Sequence, residues 1–443
     1  MKYALVIGDG MADTALSQLK GQTPLESLTL PTFDRAAGCQ CGRVLTIPEG
    51  MPPGSDTAIL SIFGYAPQTY YTGRSVLEAA GMGVPLPEGS VSFRLNLCSG
   101  LPATDLRTGH LSQRCPASQA GQLILQSHSG GNVHGEEAQT LMNDLTRAPA
   151  FLAKMRAAEL SIHVTDSFRH IGVMRSAAQD LKALQLTEPH NVLGERIQGN
   201  LPRLERSSRD TALRRMRDDL KALMLLSYEF LKDHPVNLRR MAEDKLPANM
   251  IWPWGEATAV ALTPFADKFG CEGSVISAVP LVWGIARLAG LKTPRVPGAN
   301  GDLDTNYEGK ADAALAALLR EGDDFAAVHV EAPDEMAHAG NLAGKLESIR
   351  NVESRVAARL LEGLWASGED FRMLLLSDHP TLMTTRTHDG GPVPYAIYDS
   401  RTVRAALAAG RSEPKRKFCE KEMLSEPLLM DGTALMHLLF HQG

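Results

Sequence analysis

The sequence lacks several features that would place a chain of this size in a specialised class. No apolar stretch among its 443 residues approaches the length of a bilayer span, and the start has no basic segment, long apolar core or cleavage site. The net charge of -6 argues against a nucleic-acid binder. The six cysteines form no CxxC pair, which favours free thiols in a reducing compartment. We therefore expect a cytoplasmic protein that binds neither membrane nor nucleic acid.

The composition that remains is typical of a globular protein with more than one domain. The hydrophobic fraction of 44% and the charged fraction of 22% are ordinary, and 443 residues exceed what one simple core accommodates. From about Pro85 the content of Pro, Gly and Ser rises, and a recurring pattern of apolar strand followed by acid stops. We predict a small inserted α+β domain at residues 85–192 and a larger core formed by residues 1–84 and 193–443.

That recurring pattern is the strongest signal in the chain. Three short apolar runs, KYALVIG, AAVHV and MLLL, are followed closely by Asp9, by Asp334 and by the pair Asp378-His379. Such runs are typical of buried strands in a parallel sheet, whose carboxyl ends share one edge where α/β proteins bind ligands. His338 lies four residues after Asp334, on the same helical face. His388 and Ser55, the latter at the start of a predicted helix, complete the set.

These oxygen and nitrogen donors are of the type that binds divalent metals. We predict two sites, one from Asp9, Asp378 and His379 and the other from Asp334, His338 and His388. Ser55 would bind the first metal and act as a nucleophile, and the pair would stabilise an in-line phosphoryl transfer. The alternative is a hydrogen-bonded polar rim without metal.

Other charged residues and elements are weaker signals. We predict that Arg74 lies in a loop and that the polar segment GDLDTNYEGK is a loop containing Lys310. Arg94, Arg169, His170 and Arg175 are candidates for a basic face in the insert. Scattered arginines are commonly surface residues. The apolar spacing predicts a long helix at residues 207–234, and residues 392–397 resemble an edge strand.

Several motifs together resemble one family. GDGMAD, PPGSDTA, TGRSVLEAAGMG, ANMIWPWGEA, LDTNYEGKA, APDEMAHAGN and SDH followed by His388 are similar to the archaeal-type cofactor-independent phosphoglycerate mutases of the alkaline phosphatase superfamily. The resemblance implies an α/β core like that of alkaline phosphatase, with a mainly parallel sheet flanked by helices, and an inserted substrate lid. It implies interconversion of 3-phosphoglycerate and 2-phosphoglycerate through a phosphoserine at Ser55, using two Mn²⁺, Zn²⁺, Co²⁺ or Mg²⁺ ions and no bisphosphoglycerate. It further implies substrate binding by Arg74, Arg94 and Arg169, proton movement by His170, and neutralisation of the phosphate by Lys310.

Two other functions stay open at this point. IGDGMAD, IPEGMPPGSD and IWPWGE also resemble a bacterial branch of the family that has been proposed to act as homoserine kinases, with the same phosphoryl-transfer ligands. The absence of a GxxxxGK[ST] loop mildly favours the mutase. The other alternative is a metal-stabilised binding protein without activity, which the presence of Ser55 disfavours. We expect a small phosphorylated substrate as the partner, and the sequence leaves the oligomeric state open.

Overall fold

The chain folds into two compact units. The structure, a computed structural model, describes residues 1–108, 115–176, 178 and 180–440. The first unit comprises Met1–Tyr71, Ala80–Met82 and Ala261–Gly443, and the second comprises Thr72–Ala79 and Gly83–Val260. Within the described residues, none of the helices combines the length and the apolar character that a membrane crossing needs.

Strands and helices alternate through much of the chain. The strands are β1 (Lys2–Gly8), β2 (Gln40–Val44), β3 (Ser90–Leu101), β4 (Ile124–Ser127), β5 (Leu160–His163), β6 (Arg169–Arg175), β7 (Leu184–Gln185), β8 (Arg203–Leu204), β9 (Met250–Thr258), β10 (Gly273–Ile276), β11 (Phe325–Val330), β12 (Phe371–Leu376), β13 (Thr381–Leu382), β14 (Thr387–His388), β15 (Val393–Asp399) and β16 (Leu428–Leu429). The α-helices are α1 (Pro24–Ser27), α2 (Pro31–Cys39), α3 (Ser55–Ile62), α4 (Pro67–Tyr70), α5 (Arg74–Gly81), α6 (Ala103–Thr108), α7 (Gly135–Arg147), α8 (Pro149–Ala157), α9 (Thr211–Leu231), α10 (Pro235–Ala242), α11 (Phe265–Phe269), α12 (Pro280–Leu288), α13 (Tyr307–Leu319), α14 (Ala332–His338), α15 (Leu342–Asn351), α16 (Ala358–Ser367), α17 (Ser400–Ala408), α18 (Glu420–Met423) and α19 (Ala434–Phe440).

The first unit is built on a mixed, mostly parallel sheet with the strand order β10-β11-β1-β12-β15-β2-β16. Strand β1 lies between β11 and β12 and is parallel to both. All six residues of β11 and of β12 are buried, because helices cover both faces of such a sheet and select a continuous apolar run. The three predicted strands are therefore confirmed as parallel neighbours, and their carboxyl ends meet at one edge.

One prediction about this sheet is wrong. The segment at residues 392–397 forms β15 (Val393–Asp399), which is an interior strand and not an edge strand, since it pairs antiparallel with β12 on one side and β2 on the other. The prediction failed because it did not include β2 (Gln40–Val44). The sequence of that strand, QCGRV, is short and lacks the apolar alternation that indicates a strand.

The second unit is built on an antiparallel sheet with the order β4-β3-β6-β5, in which β9 also pairs with β3. Helix α9 (Thr211–Leu231), the long helix that the sequence predicts, buries Leu213 and Leu220 in a core shared with Val91 and Ile251. Because α9 and β9 belong to this core, the unit extends to Val260. The predicted insert of residues 85–192 ends earlier than this boundary.

Candidate metal centre

The predicted ligands lie at the carboxyl edge of the sheet of the first unit. Asp9 directly follows β1, and Asp378 and His379 follow β12 after one intervening residue. Asp334 and His338 lie one turn apart on α14, and His388 ends β14. The structure brings the six side chains into the same two groups of three that the sequence analysis proposes.

The first group consists of Asp9, Asp378 and His379, whose ligand atoms all lie within 4.8 Å of one another. His379 Nε2 is 3.6 Å from Asp9 Oδ1 and 3.3 Å from Asp378 Oδ2. The backbone N–H of Gly10 donates to Asp378 Oδ1 at 3.1 Å. Asp9 Oδ1 and Asp378 Oδ2 are buried and accept no hydrogen bond from any part of the chain that the structure describes. Two unsatisfied carboxylate oxygens beside an imidazole nitrogen fit a divalent cation.

The electrostatics of the first group also favour a cation. Burial and the neighbouring carboxylates of Asp378 and Asp334 raise the pKa of Asp9 well above its ordinary value. Burial lowers the pKa of His379, so that its imidazole is neutral and can donate a lone pair. A bound divalent ion would offset the crowding of these carboxylates.

Ser55 lies against the first group. It is the first residue of α3, a helix preceded by Gly54. Its Oγ is 3.1 Å from His379 Nε2 and donates to Asp9 Oδ2 at 3.4 Å. A hydroxyl at a helix N-terminus lies where backbone N–H groups and the helix dipole stabilise negative charge. The structure therefore places the predicted nucleophile against two of the predicted ligands, Asp9 and His379.

The second group consists of Asp334, His338 and His388. His338 Nε2 lies 3.2 Å from Asp334 Oδ2, and His388 Nε2 lies 3.5 Å from Asp334 Oδ1. Burial opposes ionisation of Asp334, but the hydrogen bonds from the two imidazoles outweigh it and lower its pKa. The hydrogen bond between His338 and Asp334 in turn raises the pKa of His338 to about 9. One carboxylate and two imidazoles fit a second divalent ion.

The two groups adjoin each other. The imidazole rings of His379 and His388 lie 4.3 Å apart, centre to centre. The hydroxyl of Thr381 donates to Asp334 Oδ1 at 2.6 Å and lies 3.2 Å from His379 Nδ1. The six side chains therefore form one continuous cluster.

Sequence reasoning missed two residues of this cluster, Thr381 and His329. His329 is 1% exposed, its Nε2 lies 3.1 Å from Asp9 Oδ2, and its Nδ1 lies 3.2 Å from Ser277 Oγ. Burial lowers the pKa of His329 to about 4, so the ring is neutral and carries one proton. The available signal was a histidine inside the apolar run AAVHV, near the strand end. Thr381 carried no signal beyond its place two residues after His379.

Lys310 is fully buried in α13, and the prediction that it lies in a loop is wrong because this helix begins at Tyr307, capped by the side chain of Asn306. Its Nζ donates to the carbonyl oxygen of His329 at 3.3 Å and to that of Asn300 at 3.5 Å. Burial lowers the pKa of Lys310 to about 8, although nearby Glu331 raises it. The lysine therefore reaches the end of β11, the strand whose His329 contacts Asp9.

The predicted arginines of the second unit cluster on Glu78. The guanidinium of Arg94 is buried and donates to both carboxylate oxygens of Glu78, with Nε at 2.8 Å from Oε2. The prediction that Arg74 lies in a loop is wrong, since Arg74 is the first residue of α5. Its Nε donates to Glu78 Oε1 at 3.2 Å, one helical turn away. Burial opposes ionisation of Glu78, but Arg94, Arg74 and Arg169 outweigh it and lower its pKa. Three guanidinium groups around one carboxylate leave an excess of positive charge for an anion.

Arg175 and His170 lie apart from that arrangement. Arg169 and Arg175 are at opposite ends of β6, about 20 Å apart by the rise of a strand, so Arg175 does not join the arginine cluster. His170 is fully buried, and the backbone N–H of Thr165 donates to its Nδ1 at 3.1 Å. Burial lowers the pKa of His170 to about 4. Its proposed movement of protons stays a prediction.

Comparison with solved structures defines the class. A Pyrococcus horikoshii protein aligns with a TM-score of 0.71 at 24% identity, covering 99% of this chain and 96% of its own. The cofactor-independent phosphoglycerate mutase from Thermoplasma acidophilum aligns with a TM-score of 0.64 at 22% identity, covering 99% of each chain. The chain therefore shares the α/β fold of these two proteins over nearly its whole length.

Comparison of sequences gives the family. A sequence model of the 2,3-bisphosphoglycerate-independent phosphoglycerate mutases matches residues 36–237. An enzyme of that name from Methanosarcina acetivorans is 40% identical over 400 residues, which cover 90% of each chain. Another from Methanothermobacter thermautotrophicus is 38% identical over 418 residues, covering 91% of this chain and 93% of its own. The chain belongs to the archaeal-type 2,3-bisphosphoglycerate-independent phosphoglycerate mutase family, a family of isomerases.

Proposed function

We propose that this protein interconverts 3-phosphoglycerate and 2-phosphoglycerate through a phosphoserine at Ser55, beside two divalent metal ions. Asp9, Asp378 and His379 would hold one ion together with Ser55, and Asp334, His338 and His388 would hold the other. The observation that supports this most is the position of the Ser55 hydroxyl, 3.1 Å from His379 and 3.4 Å from Asp9. A serine that only capped the helix N-terminus would not need to contact both a histidine and an aspartate.

The chemistry requires two transfers of one phosphoryl group. Ser55 Oγ attacks the phosphorus of 3-phosphoglycerate, the Oγ–P bond forms, and the bond from phosphorus to the 3-oxygen breaks. The serine proton passes to that 3-oxygen. The 2-hydroxyl of the bound glycerate then attacks the phosphoserine, so that the bond from phosphorus to the 2-oxygen forms and the Oγ–P bond breaks. The proton of the 2-hydroxyl passes to Ser55 Oγ. The ions, when bound, would supply Lewis-acid stabilisation of the serine oxygen and of the charge on the phosphoryl group.

The arginine cluster would supply the substrate's other contacts. We propose that Arg74, Arg94 and Arg169 bind the carboxylate and phosphate of phosphoglycerate. Guanidinium groups match both anions with two parallel hydrogen bonds. Glu78 supports this role, since its carboxylate orients the buried Arg94. Lys310, a residue of α13 whose buried Nζ contacts the end of β11, would neutralise phosphate charge.

A direct assay tests the mutase. The protein is stripped with a chelator, reloaded with Mn²⁺, Co²⁺ or Zn²⁺, and supplied with 3-phosphoglycerate, while 2-phosphoglycerate is followed through enolase. We expect turnover that needs metal and needs no bisphosphoglycerate. The absence of product with all three metals would refute the proposal. Phosphorylation of homoserine from ATP, measured on the same preparation, would instead support the kinase.

A pair of serine variants tests the phosphoserine. Ser55→Ala should abolish turnover and the phosphoenzyme, which mass spectrometry of acid-quenched protein detects, while metal content stays near wild type. Ser61→Ala is the matched control, because Ser61 is buried in the same helix. It should retain both activity and phosphoenzyme. Turnover by Ser55→Ala at the wild-type rate would show that the serine carries no phosphoryl group.

A further inference from the structure

A buried lysine contacts the two segments that carry the first group of proposed metal ligands. Lys345, on α15, is 0% exposed. Its Nζ donates to Asp13 Oδ2 at 2.8 Å, to the carbonyl oxygen of Thr381 at 2.7 Å and to that of Ala12 at 3.5 Å. Burying an ammonium group is costly unless all its protons find partners, so three acceptors around one lysine indicate a constrained position.

The acceptors of Lys345 belong to two different loops. Ala12 and Asp13 lie in the segment after β1, shortly after the proposed ligand Asp9, while Thr381 begins β13, separated from Asp378 and His379 only by Pro380. The loops also bond to each other, since the N–H of Thr381 donates to the carbonyl oxygen of Ala12 at 3.1 Å. Lys345 therefore joins the two loops that carry the first group of ligands.

Through Thr381, Lys345 is also connected to the second group of proposed ligands. The Thr381 side chain donates to Asp334 Oδ1 and lies beside His379 Nδ1. Because Lys345 holds the backbone of the same residue, a shift of this lysine would move a hydroxyl that contacts a ligand of each group.

Asp13, the carboxylate partner of Lys345, is itself held by hydrogen bonds to other elements of the first unit. Its carboxylate accepts from the backbone N–H of Met383 at 3.1 Å, and its own N–H donates to Glu420 Oε1 at 3.1 Å. The hydroxyl of Thr23 donates to the other oxygen of Glu420 at 2.5 Å. The lysine is thus tied through Asp13 to α18 and to the residue before α1, elements that hold no predicted ligand.

We infer that Lys345 is a positioning residue of the metal centre, which holds the β1 and β12 loops in the register that both ligand groups need. The inference rests on the proposed two-metal function. A lysine that served only stability could lie anywhere in the core, whereas this one contacts the backbone of both ligand-bearing loops and no ligand side chain. Residues that orient metal ligands typically change metal affinity or activity about 10- to 100-fold when removed.

The test compares Lys345→Met with a control of similar burial. Arg372 is 5% exposed, lies near the opposite end of β12, and pairs with Asp399 at 3.2 Å. Metal affinity is measured by chelator competition, and the Co²⁺ absorption spectrum reports ligand geometry. We expect Lys345→Met to weaken metal binding at least about tenfold, alter the Co²⁺ spectrum and lower kcat, with KM for 3-phosphoglycerate nearly unchanged. Arg372→Met should lower the unfolding temperature and leave metal affinity at wild type.

A double variant separates positioning from folding. Lys345→Met alone leaves the Asp13 carboxylate buried without its cation, so the protein could fail to fold. Lys345→Met with Asp13→Asn removes that charge; it should regain the unfolding temperature but keep the metal-binding defect. Wild-type metal affinity in the folded double variant, or an equal loss of affinity in Arg372→Met, would overturn the inference. Failure of the wild-type protein to bind metal would instead refute the proposed function.

Discussion

The contact between His329 and Asp9 permits a quantitative test of the metal centre. We assign the single proton of the neutral imidazole to Nε2, 3.1 Å from Asp9 Oδ2, because an ionised carboxylate can only accept a hydrogen bond. Nδ1 then accepts from the hydroxyl of Ser277 at 3.2 Å, and that hydroxyl accepts from the N–H of Val279 at 3.0 Å. The result is a relay of hydrogen bonds from Ser277 through His329 to the carboxylate of Asp9, a proposed metal ligand. We predict that His329→Leu, which fills the site without a donor, impairs metal binding.

The magnitude follows from the type of bond removed. A hydrogen bond to a charged group contributes about 1.5–3 kcal/mol, which corresponds to roughly a 10- to 150-fold change in an equilibrium constant. His329→Leu should therefore weaken metal binding and lower kcat by one to two orders of magnitude. Ser277→Ala removes only a neutral bond of about 1 kcal/mol and should cost roughly fivefold.

Chelator competition and steady-state kinetics measure both effects. The matched control is His234→Leu, since His234 Nε2 also lies 3.1 Å from an aspartate oxygen, that of Asp144, but in the second unit, which holds none of the proposed ligands. This control should change stability and leave metal affinity unchanged. Metal affinity and kcat of His329→Leu within twofold of wild type would refute the reasoning.

The remaining predictions concern an acid, a glycine and an arginine. Burial raises the pKa of Glu420 from 4.5 to about 7, so the stability that its protonated form contributes is lost as pH rises through 7. Glu420→Gln should match wild type below about pH 4.5 in urea unfolding and exceed it by up to about 3 kcal/mol above pH 8; a constant difference would contradict this. Gly10→Ala places a Cβ 2.8 Å from Asp334 Oδ1, at a φ of +62° that disfavours any residue with a side chain. The alanine should displace Asp334, so elemental analysis should show less metal than two ions per chain. A full complement of two ions would argue against this prediction. Arg94→Lys loses the paired bonds to Glu78 and should raise KM for 3-phosphoglycerate roughly tenfold with a smaller change in kcat, whereas an unchanged KM would remove Arg94 from substrate binding.

The strands and most of the rim could be predicted from the sequence because their signals are local. KYALVIG, AAVHV and MLLL are apolar without interruption, which is typical of strands covered on both faces, and the acid that follows each run marks the sheet edge. The helical spacing of Asp334 and His338 follows in the same way from one turn of α14. These inferences need only the periodicity of the backbone and the rule that parallel strands end together.

The boundary of the second unit and the strand β2 could not be predicted in this way. Helix α9 is amphipathic, and its sequence does not tell which apolar surface covers it; the surface is the core that contains Val91 and Ile251. The short strand β2 shows no alternation, and only its pairing with β15 makes it a strand. In both cases the deciding contacts join residues far apart in the chain.

By itself, the sequence determined the fold class, the family and the identity of the candidate ligands, because apolar periodicity and residue type are properties of short segments. The tertiary structure alone decided that His329, Thr381 and Lys345 surround those ligands. A buried histidine, threonine or lysine has no local pattern that distinguishes support of a site from ordinary packing. Its role depends on hydrogen bonds to residues from other strands, and those partners come together only when the sheet forms.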